Sequence, residues 1–273
     1  MSTMPPPTDT PWGAPSARPG QDHPVPMALL DGVALVGWSL LGQLLVVSVV
    51  LLGLTLAGVD PTSLGGASLG AVTVVTQSLV LAGAFAWLSG RGAWSWRLFG
   101  AVAPALRHVG AGLVGGVGAF LLSGGIILAG NALLGPIDSA GQALLETDML
   151  TGTALLFTVL AAVVLAPLLE EVTFRGVLFQ VMGRRTTWLT GAVLSSAVFS
   201  VVHAEVLLPF RVESLVFGLA LFAVGMVLAV VFHRSRSLVA AMVAHATFNG
   251  VQILLATSVP DELVGFVGHA LGA

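Results

Sequence analysis

The chain has 273 residues, 56% apolar and 8% charged, with a formal net charge of −3. An average soluble domain is about 25% charged, so a soluble globular protein is excluded, and so is a nucleic-acid-binding surface. All ten basic residues are Arg and Cys is absent, which rules out disulfides, Cys-ligated zinc and thiol catalysis.

Residues 1–26 hold eight prolines and no apolar run, which predicts a disordered, Pro-rich cytoplasmic tail. It lacks the basic and apolar regions of a signal peptide. Residues 27–273 then read as one all-α, polytopic membrane domain. Seven apolar stretches fall roughly at 28–58, 67–89, 107–134, 151–182, 187–208, 212–233 and 238–257. Each is long enough to cross a ~30 Å hydrocarbon layer. The last apolar piece, Leu263–Leu271, is too short to span by itself; an eighth span would return the C-terminus to the cytoplasm.

Arginine placement orients this set. Arg91, Arg97 and Arg107 lie between spans two and three, Arg184 and Arg185 between four and five, and Arg234 and Arg236 between six and seven. The alternate loops carry Asp60, then Asp138, Glu146 and Asp148, then Arg211. The positive-inside rule therefore puts the N-terminus in the cytoplasm of a cell membrane. The Arg-only, Ala/Gly/Val-rich composition resembles that of a GC-rich genome and suggests a bacterium.

Span three contains Gly112-x-x-x-Gly116, a small-residue pattern that lets helices approach closely. Packing within one bundle is the simpler expectation and a dimer contact the other; the oligomeric state stays open.

Span four carries two adjacent carboxylates, Glu170 and Glu171, at bilayer depth. Ionisable residues there are costly and mark function by default. Glu171 and Arg175 lie four apart, on one face of a helix and in the favourable acid-first order. Glu170 is rotated about 100° from Glu171 and has no helical cation. Glu171 is therefore expected to be neutralised by Arg175, leaving Glu170 free to act as a general base. Pro167, one turn earlier, lacks an N–H and should kink the helix and free a backbone carbonyl beside the site.

Two later spans each carry a helical-spaced pair, Phe199/His203 and His245/Asn249. Folding spans four and five as an antiparallel hairpin about Arg184–Arg185 brings His203 near Glu170, and His245 enters the same layer from the cytoplasmic end. Glu205, His108, His233 and His269 fall at span ends and read as interfacial. Ser195, Ser196 and Ser200 have no Asp–His pair to activate them and read as packing hydroxyls.

The ordered set Glu170-Glu171-x-x-x-Arg175, Phe199-x-x-x-His203 and His245-x-x-x-Asn249 resembles the CPBP family of CAAX-processing and bacteriocin-processing intramembrane proteases. The resemblance covers about 150–257. It implies an intramembrane endopeptidase whose cavity opens toward the cytoplasm. Glu170, assisted by His203, would activate water; His245 and Asn249 would stabilise the oxyanion; Glu171, Arg175 and Phe199 would support them. If zinc were the cofactor, Glu170, His203 and His245 would be its ligands. Without a His-Glu-x-x-His helix, chemistry that needs no metal is favoured. The substrate is expected to be a membrane-associated or lipidated peptide or protein. A transporter or scaffold using the buried Glu/His cluster as a proton relay, or a non-catalytic immunity protein, stands as the alternative.

Overall fold

A computed structural model describes residues 27–91, 105–135, 150–203 and 212–258. Among them the chain is helical and polytopic. The helices are α1 (Leu29–Leu56), α2 (Gly66–Gly90), α3 (Ala105–Leu134), α4 (Gly152–Arg185), α5 (Trp188–Val202), α6 (Val212–Ser235) and α7 (Leu238–Ser258). All except α5 are long and apolar enough to cross a membrane. The expected spans therefore appear, with one difference. The fifth apolar stretch is a helix of only 15 residues, about 22 Å long, and it stops at His203. The expectations for the tail, for Glu205 and His269 and for the C-terminal apolar piece lie outside the described residues.

Leucine and valine faces point outward along α1, where Leu41, Leu44, Leu45, Val49 and Leu52 are exposed. In water such a patch would be a liability; against lipid it is the ordinary outer surface. The interior is small-residue and aromatic. One buried cluster joins Leu35 of α1, Val80, Ala84 and Leu88 of α2, Leu169, Val172 and Phe179 of α4, Ala192 of α5, Phe232 of α6 and Ala241 of α7.

Polar ties fix the helix ends and crossings. Asp31 accepts the Ala28 N–H at 2.7 Å and pairs with Arg91 Nε at 3.0 Å, joining the start of α1 to the end of α2. Trp38, in a π-helical turn of α1, donates its indole N–H to the Val80 carbonyl at 2.7 Å. Trp188 stacks on His233 with ring centroids 4.4 Å apart, which sets the α4–α5 turn beside the α6–α7 turn. Arg184, Arg185, Arg234 and Arg236 thus gather at one end of the bundle.

The glycine pattern of α3 is used inside this bundle. A Cβ at Gly112 would meet Val243 and the Ala240 carbonyl of α7; one at Gly116 would meet Thr247 and the Ala244 carbonyl. These backbones are already in contact, so Gly112-x-x-x-Gly116 belongs to the α3–α7 crossing. Gly116→Leu should overpack that crossing, by about 1–3 kcal/mol, and lower the melting temperature of detergent-purified protein. Gly118→Leu is the control, since nothing lies within 4 Å of its Cβ position, and should leave the melting temperature unchanged. Equal effects would show that α3 and α7 are not packed this way.

Candidate active site

The site grows from irregularities in α4. This helix is π-helical over Leu160–Leu165 and again over Val172–Phe179, with a six-residue α-helical stretch, Ala166–Glu171, between them. Such insertions are rare and concentrate at functional sites. Both carboxylates lie at the end of the intervening stretch. Glu171 turns fully inward with no exposure, whereas the Glu170 side chain is 22% exposed.

Glu171 is held from two sides. Its Oε1 accepts from Arg175 at 2.9 Å and from His245 Nδ1 at 2.9 Å. Arg175 is also fully buried, donates to the Gly225 carbonyl of α6 at 3.0 Å and lies 4.8 Å from the Phe199 ring centroid. A buried ion pair offsets its desolvation only when further hydrogen bonds complete it; here α6 and α7 supply two, the Phe199 ring faces the guanidinium, and Glu171 Oε2 and Arg175 Nε have no hydrogen-bond partner among the described residues. The expected Glu171–Arg175 pair is therefore present. The His245 bond links residues 74 apart in the chain, and no local spacing signals it. Glu171 is thus more than a charge partner; it also orients a histidine.

That orientation can be read atom by atom. A carboxylate accepts, so His245 Nδ1 donates to Glu171 and its Nε2 turns the other way. A carbonyl also accepts, so His203 Nδ1 donates to the Phe199 carbonyl at 2.6 Å and its Nε2 is likewise turned away. Both Nε2 atoms face Glu170 Oε2, at 3.8 Å from His245 and 4.0 Å from His203. The protein offers that buried oxygen no hydrogen bond. Contacts of this length between polar atoms suit one bridging oxygen about 2.8 Å from each.

Phe199 is the wall behind this group. Its ring centroid lies 4.7 Å from the His203 imidazole and 5.9 Å from that of His245, and it meets Phe174 edge-on at 5.2 Å. Glu170, His203 and His245 are therefore brought together, with Glu171, Arg175 and Phe199 around them. Asn249 is placed differently. Its amide donates to the Ala162 carbonyl at 2.7 Å, two turns before Glu170 on α4.

A zinc ion is a poor fit to the donors as they stand. Ligands about 2.0 Å from a tetrahedral zinc lie about 3.3 Å from one another, shorter than the separations from Glu170 to either imidazole. No group of three such side chains close enough to hold a metal occurs among the described residues.

The remaining polar residues sort plainly. Ser195 and Ser200 donate to the Ala192 and Gly218 carbonyls at 3.2 and 2.7 Å, as packing hydroxyls do. His108 is only 1% exposed, so the interfacial reading of it is corrected.

Comparison with known proteins converges on the same stretch. Residues 152–251 match the family described as Type II CAAX prenyl endopeptidase Rce1-like. This similarity supports assigning the part of the chain that carries the candidate site to the CPBP family. An uncharacterised 24.3 kDa protein of Escherichia coli is 32% identical over 144 residues, 51% of this chain and 61% of that protein. The chain thus spans less than two thirds of that relative's length. No solved structure matches.

Glu171→Gln leaves the Arg175 charge buried without its counter-ion, which should cost about 3–5 kcal/mol. Glu171→Gln/Arg175→Met removes both charges and should recover most of that loss. Thermal unfolding in detergent compares them; a double variant no more stable than the single one would show that the two charges are not coupled.

Proposed function

We propose that this chain is an intramembrane endopeptidase of the CAAX type. It would hydrolyse a peptide bond in a membrane-associated or lipidated substrate with a water activated by Glu170. The observation that carries the reading is the convergence of two imidazole Nε2 atoms on the unpartnered Glu170 Oε2. Glu170 Oε2 and His203 Nε2 would accept the two protons of one water, and His245, protonated at Nε2, would donate to its oxygen, which keeps a lone pair for attack.

The steps follow from these positions. Glu170 takes a proton from the water while His203 orients the second one, and the water oxygen bonds to the scissile carbonyl carbon. The oxyanion accepts from His245, protonated at Nε2 and steadied through Nδ1 by Glu171, and from the second N–H of the Asn249 amide. Glu170 then passes its proton to the departing nitrogen as the C–N bond breaks. Water is consumed, and an acid and an amine are released. His245 thus plays the part of an imidazole held in one tautomer by a buried carboxylate.

A site enclosed by membrane helices restricts the substrate. The scissile bond must be delivered to the level of Glu170, which a membrane-inserted or lipid-anchored chain can do and a freely soluble one cannot. Charge placement supports a multi-pass protein whose arginine-bearing end faces the cytoplasm.

Glu170→Gln should lower peptide cleavage by purified protein at least about 100-fold, the size of a lost general base, with an unchanged melting temperature. Full activity in this variant would sink the assignment. Activity should also survive prolonged chelation, with no stoichiometric zinc in the purified protein. Activity lost in chelator and restored by zinc, at about one ion per chain, would replace water activation by Glu170 with a metal-bound water.

A further inference from the structure

A polar contact that the chemistry above leaves unexplained is that of Asn249 with the Ala162 carbonyl. Its cause lies in the backbone of α4. Inside Leu160–Leu165 the ladder runs in π register, and the Ala166 N–H goes to the Ala161 carbonyl, five residues back. The next carbonyl, that of Ala162, would take the N–H of residue 167 in the same register. Residue 167 is Pro, which has none, and the Ala166 N–H is already used. In an apolar bundle an unpaired carbonyl costs several kcal/mol, and the Asn249 amide meets it at 2.7 Å.

We infer that Pro167 and Asn249 form a lock that holds α4 in its π register and thereby positions Glu170. Pro167 prevents α4 from closing its own ladder, and Asn249 supplies the missing donor from α7. One turn nearer the arginine end, His245 of the same helix holds Glu171. Helix α7 therefore grips α4 twice, at Ala162 two turns before Glu170 and at the carboxylate pair itself through Glu171. Rewinding the π segment to α register would rotate and shift Glu170 relative to the two imidazoles. It would also release the Asn249 amide, whose second N–H is aimed only while the first is committed. Pro167 is thus a positioning residue. The lock itself stands on backbone geometry; its consequence for turnover rests on the protease reading.

A double-mutant cycle on the full-length protein in detergent tests the lock without any substrate. Asn249→Ala should lower the melting temperature in the parent chain, because it strands the Ala162 carbonyl. Pro167→Ala restores an N–H at 167 and should not lower it. In the Pro167→Ala background, Asn249→Ala should cost little, since the backbone then serves Ala162. Additive losses, or a Pro167→Ala chain that does not fold, would overturn the proposal. Turnover gives the second reading. Pro167→Ala should lower kcat about 10- to 100-fold, the scale of a small misplacement, with KM unchanged and no loss of melting temperature. Unaltered kcat in a variant whose cycle shows coupling would leave the lock in place and remove its role in aiming Glu170. A parent chain without peptidase activity would count against the protease reading alone.

Discussion

A guanidinium and a carboxylate with no exposure to solvent must find every partner they need inside the helix bundle. Arg175 and Glu171 meet much of that requirement through Gly225 of α6, His245 of α7 and the face of Phe199 on α5, while Glu171 Oε2 and Arg175 Nε have no hydrogen-bond partner among the described residues. Remove those elements and the pair becomes an uncompensated charge in an apolar interior, a cost of several kcal/mol. Three of these helices, α4, α5 and α7, carry the candidate site, so the demand for electrostatic closure and the assembly of the site are one event. Glu171 has its Oε1 filled by Arg175 and His245, and Glu170, one residue earlier, is thereby left as the carboxylate without a fixed partner.

Backbone irregularity is the second organising element. Two π segments flank the Glu170–Glu171 stretch, and α5 ends at His203 in an extended conformation (φ −78°, ψ 97°) rather than continuing. Both departures expose polar backbone in an apolar setting, and both are answered by side chains of the site. Asn249 serves Ala162, and the His203 ring serves the Phe199 carbonyl. The groups that satisfy the broken backbone are the groups read as functional, and their orientation is fixed by that service.

Much of this was legible in the sequence. Apolar length located the spans, and four-residue spacing paired Glu171 with Arg175 and placed Phe199 with His203. The antiparallel hairpin put His203 opposite Glu170. Other features were hidden for physical reasons. The His245–Glu171 bond joins two helices with no local signature. The π register of α4 depends on tertiary partners, because Pro167 announces a missing N–H without saying which carbonyl loses it or what replaces it. The early end of α5 was masked by the apolar run that continues past it, and the burial of His108 by its place near a helix start. Gly112 and Gly116 announced a close approach without naming the partner, and α7 is that partner.

The central claim is that one catalytic water is held jointly by Glu170, His203 and His245. An experimental density map of the membrane-embedded protein, fine enough to show ordered water, tests it most directly. The expected result is a single water-sized peak about 2.8 Å from Glu170 Oε2 and from the Nε2 atoms of His203 and His245. A map in which Glu170 faces lipid, or in which either imidazole turns its Nε2 away from it, would contradict the claim.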